Sequence, residues 1–115
     1  MAQFIAPFVG MLPNKKMNHQ ELIRAIRMDI AAEQEAAHLY LAHAEATTNP
    51  LARKVLESIA EEEKIHIGEF THLLNILTSG GEGRLYSKGA KEVNEMRRKK
   101  KMKGILDRAV KIGGL

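Results

Sequence analysis

Residues 52–77 read ARKVLESIAEEEKIHIGEFTHLLNIL, with one glycine and no proline. Stepping alternately three and four residues, Ala52, Leu56, Ile59, Glu63, His66, Phe70, Leu73 and Leu77 form one stripe, the spacing of a helix in an antiparallel bundle. The stripe is apolar at both ends and ionisable in the middle. An unpaired carboxylate there costs several kcal/mol or is forced to take up a proton. Glu63 and His66, at i and i+3, share a face and can both reach a cation held between helices. Carboxylate oxygen with imidazole nitrogen suits iron, manganese or zinc.

Working outward, the preceding stretch repeats the pattern. Asn18 reads as an N-cap with Glu21 three residues on, as in a capping box, and helix-forming sequence then runs to about Thr47. Its inward stripe is Ile23, Ile26, Ile30, Glu33, Ala37, Tyr40 and Ala44, again interrupted by an acid at mid-length. Asn49-Pro50 caps and opens the second helix, which continues to Ser79 before Gly80-Gly81-Glu82-Gly83 stops it. A turn this short forces antiparallel neighbours. The expected fold is all-α: an antiparallel helical hairpin over 18–79, preceded by an arm at 1–17. A loop and short basic helix follow at 80–103, the helix spanning about Lys88 to Lys103, and then a tail at 104–115.

One Glu plus one Glu-x-x-His is half the ligand set of a di-iron carboxylate bundle. The hairpin cannot bury both its seams, so a second copy that closes the core also completes the site. The competing explanation is a buried Glu–His pair with the other Glu turned to solvent. Among 115 residues with 12 Glu and 5 His, chance gives about one half of a Glu-x-x-His. Three occur. Glu35/His38 and Glu69/His72 point to the backs of their helices, where a solvated face or a secondary ion site are the alternatives. Tyr40 is a core residue or a neighbour of the site. Gly68 in mid-helix costs ~1 kcal/mol relative to Ala and suggests close approach of another backbone.

Composition narrows the function. The chain has no Cys, which excludes disulfides, thiolate metal sites and cysteine nucleophiles. It has no run of eighteen apolar residues and no basic region ahead of its apolar N-terminus, so neither a membrane span nor a signal peptide is expected. With no cysteine in the chain, a reducing cytosol is the default expectation. Gly80–Gly83 lacks the preceding strand and the G-K-[ST] of a phosphate loop. Residues 1–83 hold 7 Lys/Arg against 11 Asp/Glu, whereas residues 84–115 hold 11 against 3. The densest basic run, Arg97 to Lys103, reads first as a solvated face, with no nucleic-acid or membrane partner expected.

With these residues placed, the chain resembles the encapsulated ferritin family of the ferritin-like superfamily. The resemblance is carried by Glu33-Gln-Glu-Ala-Ala-His-Leu-Tyr40 and by Glu61-Glu-Glu-Lys-Ile-His66-Ile-Gly-Glu-Phe70, and covers residues 18–79. It implies a homodimer forming a four-helix bundle, a di-iron ferroxidase centre at the dimer interface, a ring of five dimers, and residence as cargo inside an encapsulin nanocompartment. It further implies Glu33, Glu63 and His66 as iron ligands, Glu63 bridging, with Tyr40 beside them. Two departures stand out. Leu39 occupies a position where some members carry a bulkier aromatic, and Ala32 replaces an acid of the iron entry site, leaving Glu35, with His38 as a substitute. Ala109 to Leu115 is similar in kind to an encapsulin-targeting peptide. Two rival functions are a helical binding module that uses the basic C-terminal segment, and a rubrerythrin-like peroxidase with a separate electron donor.

Overall fold

The computed structural model describes residues 15–113, with side-chain surroundings as far as residue 110, as three helices: α1 (His19–Ala46), α2 (Pro50–Leu77) and α3 (Gly81–Gly113). No strand occurs among the described residues. The chain is all-α, in two compact units that divide between Ser79 and Gly80. Residues 1–14 of the expected arm, and Gly114 and Leu115 of the expected tail, lie outside the described residues.

α1 and α2 pack side by side as a hairpin, and local chemistry fixes its ends. The capping box is present: Glu21 N–H donates to Asn18 Oδ1 at 2.8 Å, and Asn18 N–H donates to Glu21 Oε1 at 3.0 Å. Asn49 Oδ1 accepts from Ala52 N–H at 3.0 Å, with Pro50 at the first helical position. Arg53 then reaches back, its Nε donating to the Ala44 carbonyl at 3.1 Å and its Nη2 to the Thr47 carbonyl at 2.8 Å. One α2 side chain therefore satisfies two carbonyls at the end of α1, groups left without helical partners. At the open end, His19 Nε2 donates to the Leu77 carbonyl at 3.0 Å.

The core between the helices consists of Ile26, Ala37 and Ala44 from α1 with Ala60 and Leu74 from α2. Three alanines in five positions let the backbones approach closely. The α2 stripe expected from the sequence needs correction. Ile59, His66 and Leu73 are exposed, while Ala60 and Leu74 are buried. Leu56, Glu63, Phe70 and Leu77 of that stripe stay half-buried beside Ala60 and Leu74, so the seam against α1 is rotated by only part of a residue step, and Ile59, Leu73 and Val55 form a second, uncovered apolar face. One hairpin presents only one partner helix, so only one of two adjacent stripes can be covered within the chain.

The third helix also differs from expectation. It runs from Gly81 to Gly113 rather than from Lys88 to Lys103. The break after α2 is confined to the turn Thr78–Gly80, where Ser79 (φ 54°) and Gly80 (φ 83°) take left-handed backbone, the conformation glycine adopts without cost. Arg84 N–H already donates to the Gly80 carbonyl. Gly81, Gly83 and Gly104 accept helical geometry, each at ~1 kcal/mol relative to Ala, among Lys, Arg, Met and Leu neighbours that favour helix. No helix among the described residues is long and apolar enough to cross a membrane.

Candidate metal centre

Glu33 stands midway along α1, and Glu63 and His66 share a face midway along α2. The hairpin brings them together. One ligand atom from each lies within 4.8 Å of the other two, the one such group of three or more among the described residues. His66 Nδ1 is 3.5 Å from Glu33 Oε2 and 3.7 Å from Glu63 Oε2. The carboxylates are largely buried, with side chains 24% and 18% exposed, whereas the His66 imidazole is 48% exposed. The trio therefore opens on the side where α2 shows its uncovered apolar face.

Glu33 Oε2 is buried and accepts no hydrogen bond. A buried acceptor without a partner costs ~1–3 kcal/mol, and the separations to His66 are too long for hydrogen bonds. They do suit a common ion. Ligands each ~2.1 Å from one metal lie about 3.0–4.2 Å apart, depending on the angle between them. The donor set, two carboxylates and an imidazole, is that of the di-iron carboxylate bundles.

Tyr40 is half-buried on α1, two turns beyond Glu33. Glu35, His38, Glu69 and His72 are exposed and stand outside the trio, as their positions on the helix backs require. Gly68 has no atom within 4 Å of the position a Cβ would occupy, so the described chain supplies no close backbone approach there. Sequence reasoning missed Asp29. Loss of hydration, and secondarily the Glu33 carboxylate one turn along α1, push its carboxyl above the ordinary 3.8. The i, i+4 spacing of Asp29 and Glu33 was the available signal.

A Glu from one helix and a Glu-x-x-His from its neighbour match half of the ligand set that di-iron carboxylate bundles use. The rubrerythrin family model matches residues 5–74. The crystal structure of the encapsulated ferritin domain from Pyrococcus furiosus superposes with a TM-score of 0.70 at 34% identity, covering 79% of this chain and 91% of that one. The chain belongs to the rubrerythrin/ferritin-like family, as an encapsulated ferritin. Among curated relatives, it is 41% identical over 68 residues to the encapsulin nanocompartment cargo protein EncC of Myxococcus xanthus, covering 59% of this chain and 52% of that protein. It is 39% identical over 61 residues to a ferritin-like–encapsulin shell fusion protein of Pyrococcus furiosus, covering 53% of this chain and 18% of that protein. The chain thus spans about half the length, or less, of these curated relatives.

Proposed function

We propose that the chain is a ferroxidase that takes Fe²⁺ as substrate at a centre shared between two copies. The observation that carries this reading is the buried, unpaired Glu33 Oε2 facing His66 and Glu63 across the helix seam. One chain offers three ligands. A second copy laid on the face bearing Ile59 and Leu73 covers those side chains and brings a second Glu33, Glu63 and His66 opposite the first. The completed set is a Glu from each of two helices and a Glu-x-x-His from each of two others, sufficient for two irons.

In the reaction each of two Fe²⁺ ions loses one electron. Dioxygen takes both electrons with two protons and leaves as hydrogen peroxide, or peroxide takes them and leaves as water. The carboxylates offset the rising charge on the iron, with Glu63 bridging, and the half-open His66 leaves room for the oxidant. Tyr40 lies beside the centre, and Glu35 with His38 supplies a route of entry from the helix back.

The match to proteins named as encapsulin cargo supports association with an encapsulin shell in the cytoplasm; the proposal adds residues 104–115 as the targeting segment and a ring of five dimers, as the family resemblance implies. The test is anaerobic addition of Fe²⁺ to the purified chain, following oligomeric mass, then admission of air with absorbance read in the ferric range. Two irons per dimer and oxidation faster than the protein-free rate are expected. Unchanged mass and an unchanged oxidation rate would overturn the proposal.

A further inference from the structure

The proposed centre uses the side of α2 that carries Ile59 and Leu73. About 120° round the same helix lies an outer stripe with no part in it. Read backwards from the end of α2, it runs Ile76, His72, Gly68, Ile65 and Glu61, then Glu57 and Lys54, all exposed. α3 carries a stripe with nearly the same steps. Read forwards, it runs Leu85, Gly89, Val93, Met96 and Lys100, then Lys103 and Asp107, exposed at every position but Gly89.

Laid antiparallel with Ile76 level with Leu85, the two stripes match row by row. Ile65 meets Met96, which joins two exposed apolar side chains. Between these rows Gly68 faces Val93 and His72 faces Gly89. A glycine in mid-helix costs ~1 kcal/mol relative to Ala, and each one here leaves room for the larger side chain opposite. Neither has an atom of the single chain within 4 Å of the place a Cβ would take. Further along, Glu61 faces Lys100, Glu57 is within one residue of level with Lys103, and Lys54 faces Asp107. None of these six charges has a partner among the described residues. Arg97 and Glu62 share one flank, while the like charges of Lys99 and Lys64 on the other flank stay in solvent. A slip of one turn sets Lys54 opposite Lys103 in one direction and Lys100 opposite Ile65 in the other, so the rows select a single register.

We propose that α3 of one copy docks antiparallel along the outer stripe of α2 of a second copy, and reciprocally. Both stripes are exposed within one chain, so the partner of each is supplied by another. Exchange about a two-fold axis makes the contact twice and leaves the metal centre untouched. Met102, Ile105 and Leu106, on the opposite side of α3, stay free for the targeting role of residues 104–115. The pairing is the second kind of contact that a closed ring of dimers needs. To that extent it rests on the ring proposed above, whereas the docking itself does not depend on the metal.

The test uses the absence of cysteine from the chain. Metal-free, full-length chains carrying Ile65→Cys are mixed with chains carrying Met96→Cys and oxidised with diamide, and the linked peptides are identified by mass spectrometry. The 65–96 link is expected in excess over links between like positions. Met102→Cys, on the far side of α3, should link to position 65 about tenfold less, because a disulfide forms only between closely approaching backbones. Lys100→Glu in the Met96→Cys chain should lower the yield about fivefold, and Glu61→Lys in the Ile65→Cys chain should then restore it. Adding Glu63→Ala to both chains should leave the yield unchanged, so failure of the docking and failure of the ferroxidase reading are told apart. Three results would overturn the proposal: no excess of the 65–96 link over the 65–102 link, no rescue by the paired charge reversal, or, in a chain carrying both Ile65→Cys and Met96→Cys, a link closed within one chain as the main product.

Discussion

His66 Nδ1 and Glu33 Oε2 face each other at 3.5 Å across the seam of α1 and α2, and the Glu33 atom is buried without a hydrogen bond. A contact of this kind is a liability to the metal-free chain and an asset to a metal-bound one.

Replacing Glu33 by Met should therefore raise the stability of the metal-free chain by ~1–2 kcal/mol, because the buried acceptor disappears and the methionine chain fills its volume. Thermal denaturation followed by circular dichroism checks this, and several degrees of increase are expected. Anaerobic Fe²⁺ should raise the melting temperature of the parent by mass action and leave that of the variant unmoved.

Asp29 gives a dependence on pH. Its folded-state carboxyl lies above the unfolded value of 3.8, through lost hydration and then the nearby Glu33, so the folded chain holds that proton more tightly than the unfolded chain. The associated stability is complete below 3.8 and falls as pH rises through the folded value. Asp29→Asn should be more stable than the parent at pH 7, by less than ~1 kcal/mol since solvent screens the site. The difference should vanish below pH 3.8. Urea denaturation of metal-free protein at the two pH values measures it.

Leu74 is 1% exposed, the largest fully buried side chain of the hairpin. Leu74→Ala should cost ~2–5 kcal/mol, enough to unfold much of so small a core at 25 °C. A urea midpoint lowered by less than the equivalent of 1 kcal/mol would show that the covered seam contributes little to stability.

Gly68 carries the opposite expectation. A Cβ there meets no atom within 4 Å, so Gly68→Ala should stabilise the chain by ~1 kcal/mol through helix propensity alone. Light scattering on the same sample would show whether assembly tolerates the methyl group. Smaller particles despite a higher melting temperature would place a neighbouring copy against Gly68.

Both helices of the hairpin, their caps at Asn18 and Asn49, and the meeting of Glu33 with Glu63 and His66 were legible in the sequence, because capping chemistry and helical spacing act over a few residues. The face of α2 that packs on α1 was legible only in part, since Leu56, Glu63, Phe70 and Leu77 stay half-buried while Ile59, His66 and Leu73 are exposed. Ile59 and Ala60, or Leu73 and Leu74, are adjacent apolar residues, and periodicity alone does not say which of two neighbouring stripes a single partner helix will cover. The extent of α3 was misjudged for a related reason. Glycine clusters mark a break, but whether Gly81 and Gly83 belong to it depends on the left-handed backbone that Ser79 and Gly80 adopt. Arg53 and His19, which tie the two ends of the hairpin, reach main-chain carbonyls that no side-chain pattern announces.

The turn between α1 and α2 holds Thr47, Thr48 and Asn49, and Arg53 clamps it to the end of α1. Glu33 lies thirteen residues before the last residue of α1, and Glu63 thirteen after the first of α2. The acids are thus level, each about 20 Å from the bend at 1.5 Å per residue. A residue inserted within either arm between the bend and its acid would swing that acid by about 100° around its axis and break the pairing. Homologues can exchange side chains along these arms and still keep their chemistry, whereas a single insertion or deletion there would abolish it at once. In comparing such sequences, the count of residues from acid to acid is a better heritable sign of an intact centre than overall similarity.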